Sequence, residues 1–176
     1  MIKTDRACDL RQAVPTLIML GAVVLTIAAC SPEVDGITGL TRDGEGRLVG
    51  LAQACQGKLV GATLVQDANT QRSEHVGAWV TEAPSAQMSW ALQQPFSPNG
   101  WRTWRPGPQD LAPDHVYTLF VWREENVTNA APLDFTAEDL PTVGEGRVLI
   151  SEPDAAGETH RPAVVSRDEF SRRACG

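Results

Sequence analysis

The chain has 176 residues, with 15 basic and 22 acidic side chains and a net charge of −7; apolar residues make up 42% of it, enough for one domain with a substantial core. The acidic balance argues against nucleic acid as a partner and against direct adsorption to anionic lipid, both of which need a basic surface.

From the N-terminus, Lys3, Arg6 and Arg11 stand against Asp5 and Asp9 ahead of an apolar run, Val14 to Cys30. The uncharged stretch from Leu17 to Ala29 suits the hydrophobic segment of an export signal. It is short for a bilayer-spanning helix, which needs roughly 20 residues. Ile27-Ala28-Ala29-Cys30 resembles the bacterial lipobox, in which an aliphatic residue and two small ones precede a cysteine that is acylated and becomes the new N-terminus. The chain is therefore similar to the small lipoproteins that actinobacteria export. That resemblance implies a signal peptide over residues 1–29, lipidation at Cys30, a tether over residues 30–36 and a single domain over residues 37–176. Its partner would be the bilayer, through acyl chains on Cys30, on the extracytoplasmic face of the cell membrane. Loss of the leader removes three basic and two acidic residues and moves the net charge from −7 to −8.

Of the four cysteines, Cys8 leaves with the leader and Cys30 goes to lipid, which leaves Cys55 and Cys175. In an oxidising compartment a lone pair is expected to form a disulfide. Neither has a CxxC partner or a nearby histidine, so a metal pair or a reactive thiol is the weaker alternative.

The remaining chain reads as short strands between turns. GITGLTR, the turn Asp43-Gly44-Glu45-Gly46 and RLVGLAQAC form a hairpin pattern, and Gln56-Gly57-Lys58 leads into LVGATLVQD, which ends at Asp67 to Arg72. Glu74 to Glu82 alternates, with Val76, Ala78 and Val80 on one face and His75 and Trp79 on the other. Ala86 to Gln93 alternates more cleanly, grouping Ala86, Met88, Trp90 and Leu92. VYTLFVW, Val116 to Trp122, is apolar on both parities and suits a central strand. Between these two strands, Gln94 to His115 holds five of the twelve prolines and reads as a long loop. A polar turn at Glu124 to Ala131, a short helix from Ala137 to Leu140 behind Thr136, and strands at Arg147 to Ser151 and Ala163 to Val165 follow. Ser166 with Glu169 has the form of a capping box, which predicts a helix from Arg167 to about Arg173.

About eight short strands and one C-terminal helix predict an all-β fold, an antiparallel β-sandwich of general Ig-like or fibronectin-like architecture, with a small barrel as the alternative. GEGRLV at Gly44 to Val49 and GEGRVL at Gly144 to Leu149 are a weak internal echo.

Chemistry is sparse. His75, His115 and His160 show no metal-pair spacing, and no nucleophile elbow, phosphate loop, dinucleotide fingerprint or calcium loop occurs, so no catalytic residue and no cofactor are assigned. Glu124-Glu125 and Glu138-Asp139 read as solvated faces before they read as paired catalytic carboxylates. The constellation that stands out is Trp101-Arg102-Thr103-Trp104-Arg105. Its rings could stack on a sugar face, or its arginines could pair with anionic wall polymer. The competing expectation is that tryptophan folds back over the sandwich edge while Arg102 and Arg105 pair with Asp110 or Asp114. The expected function is a non-catalytic binding module at the cell envelope, for cell-wall polymer or an envelope protein. The alternative is an envelope hydrolase whose site is assembled from residues distant in sequence.

Overall fold

The computed structural model describes residues 34–93, 96–97, 100–123, 129–153 and 160–175. The expected leader, Cys30, most of the tether and Glu124-Glu125 lie outside them. Among the described residues the strands pair antiparallel except for β1 with β9 and the isolated Arg42–Glu145 bridge, and twelve strands stand where about eight were expected. The extra ones are mostly two- and three-residue strands, too short to leave a periodicity in the sequence.

Strand β1 (Val34–Arg42) is the hub. Along one edge it pairs with β2 (Leu48–Ala54), the partner predicted by the Asp43–Gly46 turn. That turn closes because Asp43 Oδ1 accepts from the N–H groups of Glu45 and Arg47 and Gly46 takes φ +78°. β3 (Leu59–Gln66), β4 (Glu74–Ser85), β5 (Gln87–Ala91), β6 (Phe96–Ser97), β7 (Trp101–Arg105), β8 (Tyr117–Arg123), β9 (Asn129–Ala131), β10 (Leu133–Phe135), β11 (Arg147–Pro153) and β12 (His160–Ser166) follow. On its other edge β1 meets β9 in parallel near its start and β11 antiparallel near its end. Two layers result: β5-β2-β1-β11-β12, and β6-β7-β4-β3-β8 with β9 and β10 along the far side of β8. β8 is internal to its layer, as its two-sided apolar pattern predicts. The chain changes layers at Ala86, where β4 bends into β5.

The core between the layers is built from Leu40, Ala52, Leu59, Ala62, Leu64, Tyr117, Leu119, Val121, Leu133, Phe135 and Leu149 around three tryptophans. Trp79, Trp90 and Trp101 stack in sequence, with centroids 6.3 Å and 5.0 Å apart. Trp90 comes from one layer and the other two from the opposite one. Gly50, across the ladder from Trp90, gives the ring its seat: a Cβ there would stand 2.4 Å from the indole. Among the described residues the buried indole N–H groups of Trp79 and Trp90 meet no acceptor, and a buried donor left so costs about 1–3 kcal/mol. Burying some 200 Å² of ring contributes about 5 kcal/mol at ~25 cal/mol/Å², so packing wins.

A second, smaller core lies on the outer face of the first layer. The helix α1 (Arg167–Arg173) sets Phe170 against Ile37, Leu51, Val148, Ile150 and Val165, over a floor kept low by Gly39. α1 spans the predicted residues, and Ser166 Oγ accepts from the Glu169 N–H at 3.1 Å. The carboxylate of Glu169 turns to Arg172 and Arg173 instead of completing the box. Immediately after the helix, Cys175 is disulfide-bonded to Cys55, with Cα atoms 5.3 Å apart across 120 residues of sequence. The 3-10 helix Ala137–Thr142 stands where a short helix was expected, with the Asp139 carboxylate reaching back to Thr136.

Closing a loop of that length contributes about 3–5 kcal/mol on the chain-entropy model. Replacing Cys55 and Cys175 together by serine is expected to lower the unfolding free energy in urea by about that amount. A change under about 1 kcal/mol would show that Phe170 alone holds α1.

Candidate functional site

The layers differ on their outer faces. α1 covers the first, while among the described residues no element covers the second. Two cross-strand rows define that open face. Trp122 of β8 pairs with Gly61 of β3, Gly61 with Val80 of β4, and Val80 with Arg102 of β7. Phe120, Thr63, Ala78 and Arg105 form the parallel row. Trp122 lies flat across Gly61, where any Cβ would meet the ring at 2.3 Å. Phe120 is exposed beside it. The middle of both rows is small or β-branched, so the face is a shallow trough with aromatic rings along the β8 side.

Its other wall comes from the Trp101–Arg105 segment, which is a strand and not part of a loop. Proline density keeps it out of a sheet centre, and it accordingly lies near a layer edge, behind two-residue β6. Trp79 pairs with Thr103 and Ala78 with Arg105, so Trp104 is the extra residue of a β-bulge. The bulge divides the predicted cluster. Trp101 is buried against Trp90 and does not share a surface with Trp104, which is 76% exposed. Arg102 and Arg105 flank Trp104, paired with Glu82 at 2.5 Å and Glu74 at 3.3 Å, and Arg105 also donates to the His75 carbonyl. Asp110 and Asp114, near in sequence, are not their partners. Between Trp104 and the β8 aromatics lie three inter-strand steps, roughly 14 Å at ~4.8 Å each. Phe120 and Trp122 were missed as site residues because they read as core in a strand apolar on both parities; their pairing with Thr63 and Gly61 places them on the open face.

The nearest approach to hydrolytic machinery is Asp67 with His115. Asp67 holds a left-handed backbone, φ +51°, at the end of β3. Its Oδ2 lies 2.7 Å from His115 Nδ1 and its Oδ1 accepts from the Val116 N–H, while the Gln66 amide sits 3.2 Å from the same ring nitrogen. No hydroxyl or thiol is hydrogen-bonded to the ring among the described residues, and the pair acts as a latch between the β3–β4 turn and the entry to β8. Among the described residues no group of three or more His, Cys, Asp or Glu side chains could hold a metal ion. His75 is exposed at the start of β4.

No family model, curated protein or solved structure matches this chain.

The hydrogen bond from His115, helped by the Val116 N–H, holds the Asp67 carboxyl below its ordinary value of 3.8. A depressed carboxylate pKa stabilises the fold above the ordinary value, and that contribution is lost as pH falls through the folded-state pKa. Asp67→Asn is therefore expected to lower the urea midpoint near pH 6 and to change it little near pH 2. An equal loss at both pH values would assign the latch to packing instead.

Proposed function

We propose that this protein is a lipid-tethered, extracytoplasmic binding module of the cell envelope, non-catalytic, whose ligand surface is the open trough of the second layer and whose ligand is a neutral polysaccharide of the wall. The observation that carries the ligand assignment is Trp104, which sits exposed on a bulge of β7, the strand that bounds the trough on the side away from Phe120 and Trp122 of β8. Exposed rings along a trough with a small-residue floor offer stacking planes for successive sugar rings, and a rigid strand loses little freedom on contact. Because Arg102 and Arg105 are already held by glutamates, the trough favours an uncharged chain over an anionic polymer. The tether rests on the lipobox resemblance at Ile27 to Cys30, and the Cys55–Cys175 bond is consistent with an oxidising compartment. Acyl chains, at ~0.8 kcal/mol per buried methylene, would hold the domain at the membrane without a spanning helix.

Mass spectrometry of the native molecule is expected to find Cys30 N-terminal and acylated; Met1 at the terminus, or a bare thiol at Cys30, would overturn the tether. For the trough, Trp104→Ala is expected to abolish retention on isolated wall polysaccharide with less than about 0.5 kcal/mol change in stability. Trp101→Ala should destabilise by about 3–5 kcal/mol, as truncation of a core tryptophan does. Retention unchanged in Trp104→Ala would remove the polysaccharide assignment.

A further inference from the structure

Three of the fold's strand edges differ in how they are guarded. β12 carries Arg161 and Pro162, a charge and a residue that cannot donate to a ladder. β6 is only two residues long, and β7 behind it holds a bulge and two arginines. β5, Gln-Met-Ser-Trp-Ala, has no charge, no proline and an unbroken register against β2. Among the described residues it pairs with β2 alone; β6 approaches it without pairing, and a gap separates Gln87 to Ser89 from Thr81, Ala83, Ser85 and Trp101.

The ladder parity says which groups that edge presents. Hydrogen bonds from Leu92 N–H to Leu48 O and from Ala54 N–H to Ala86 O bracket the β2–β5 pairing, so the even-numbered residues exchange bonds with β2. The N–H and C=O groups of Gln87, Ser89 and Ala91 then point to the open edge. The Gln87 N–H is taken by Ser85 Oγ, which leaves Ser89 as the first residue with both groups presented. Beside it, on the outer face, is a cleft of about 310 Å³ between β5 and α1. Leu51, Met88 and Phe170 give it apolar walls, and Gln53, Gln87 and Arg167 its polar ones. Arg167 is exposed and makes no ion pair among the described residues.

We infer that β5 is a docking edge for an extended peptide segment of another protein, which adds as a further strand opposite Ser89 and places an acidic side chain in the cleft against Arg167. A residue directly opposite Ser89 presents its side chain on the face that Ser89 occupies, which is the face of the cleft. Main-chain bonds to Ser89 supply affinity and the Arg167 contact supplies selection, as in strand addition generally. This edge is independent of the trough, so failure of either assignment leaves the other standing.

The test uses the folded, oxidised protein and two synthetic hexapeptides of alternating threonine and valine, one with a central glutamate and one with lysine in its place. The glutamate peptide is expected to bind about tenfold tighter. Arg167→Glu should reverse that preference, and Trp104→Ala should leave it intact. Ser89→Pro should abolish binding of both peptides while the fold survives, because that N–H is not used in the ladder. N-methylation of the peptide backbone should have the same effect without altering the protein. Binding insensitive to both Ser89→Pro and N-methylation would overturn the inference. So would binding of neither peptide, or a concentration-dependent dimer lost in Ser89→Pro, which would give the edge to a second copy of this chain.

Discussion

The contact on which the rest of this structure depends is the stack of Trp79, Trp90 and Trp101 between the layers. It draws one strand of the first layer and two of the second onto the same rings, and it fixes the parity of each. With Trp90 inward, Ser89 faces out along β5. With Trp101 inward and Thr103 opposite Trp79, a single extra residue is enough to leave Trp104 in solvent. Both surfaces to which a partner is assigned are thus consequences of how the core is filled. Gly50 is the backbone condition for the stack, since a methyl group in its place would collide with Trp90.

The two layers solve the problem of their outer faces differently. The first buries its outer apolar residues under Phe170 of α1, and the bond from Cys175 to Cys55 pins the end of that helix to the chain just past β2. The second spreads Phe120 and Trp122 over Thr63 and Gly61 and leaves the trough open. Polar ties join the layers at the margins: Asp134 accepts from Thr118 Oγ1 and its N–H donates to Ser151 Oγ, and Arg123 pairs with Asp35 at 3.1 Å.

Much of this was legible in the sequence where a local rule decides the outcome. The Asp43–Gly46 turn, the Ser166 cap and the inward set of Met88, Trp90 and Leu92 are each governed by neighbours in the chain and formed as expected, whereas Ala86, grouped with that set by alternation, is exposed at the bend before β5. The Cys55–Cys175 pairing was expected because the lipobox resemblance sets Cys8 and Cys30 aside, and the bond is present. What could not be read were the features set by distant partners. The proline-rich segment conceals β7 because its pairing is supplied by β4. The bulge that separates Trp101 from Trp104 breaks the alternation by which the two would be placed. Glu74 and Glu82, the partners of the arginines, come from the neighbouring strand and not from the adjacent acidic residues. The repeated Gly-Glu-Gly turns at Gly44 and Gly144 have a structural echo: each ends in a left-handed glycine and launches a strand flanking β1.

Oxidation of the native protein with limiting N-bromosuccinimide, followed by peptide mapping, reads the inside and outside of all five tryptophans at once. Trp104 is expected to be modified first, while Trp79, Trp90 and Trp101 resist until the protein unfolds. Modification of Trp101 at the same rate as Trp104 would mean that the inter-layer stack does not exist, and the assignment of both surfaces would fall with it.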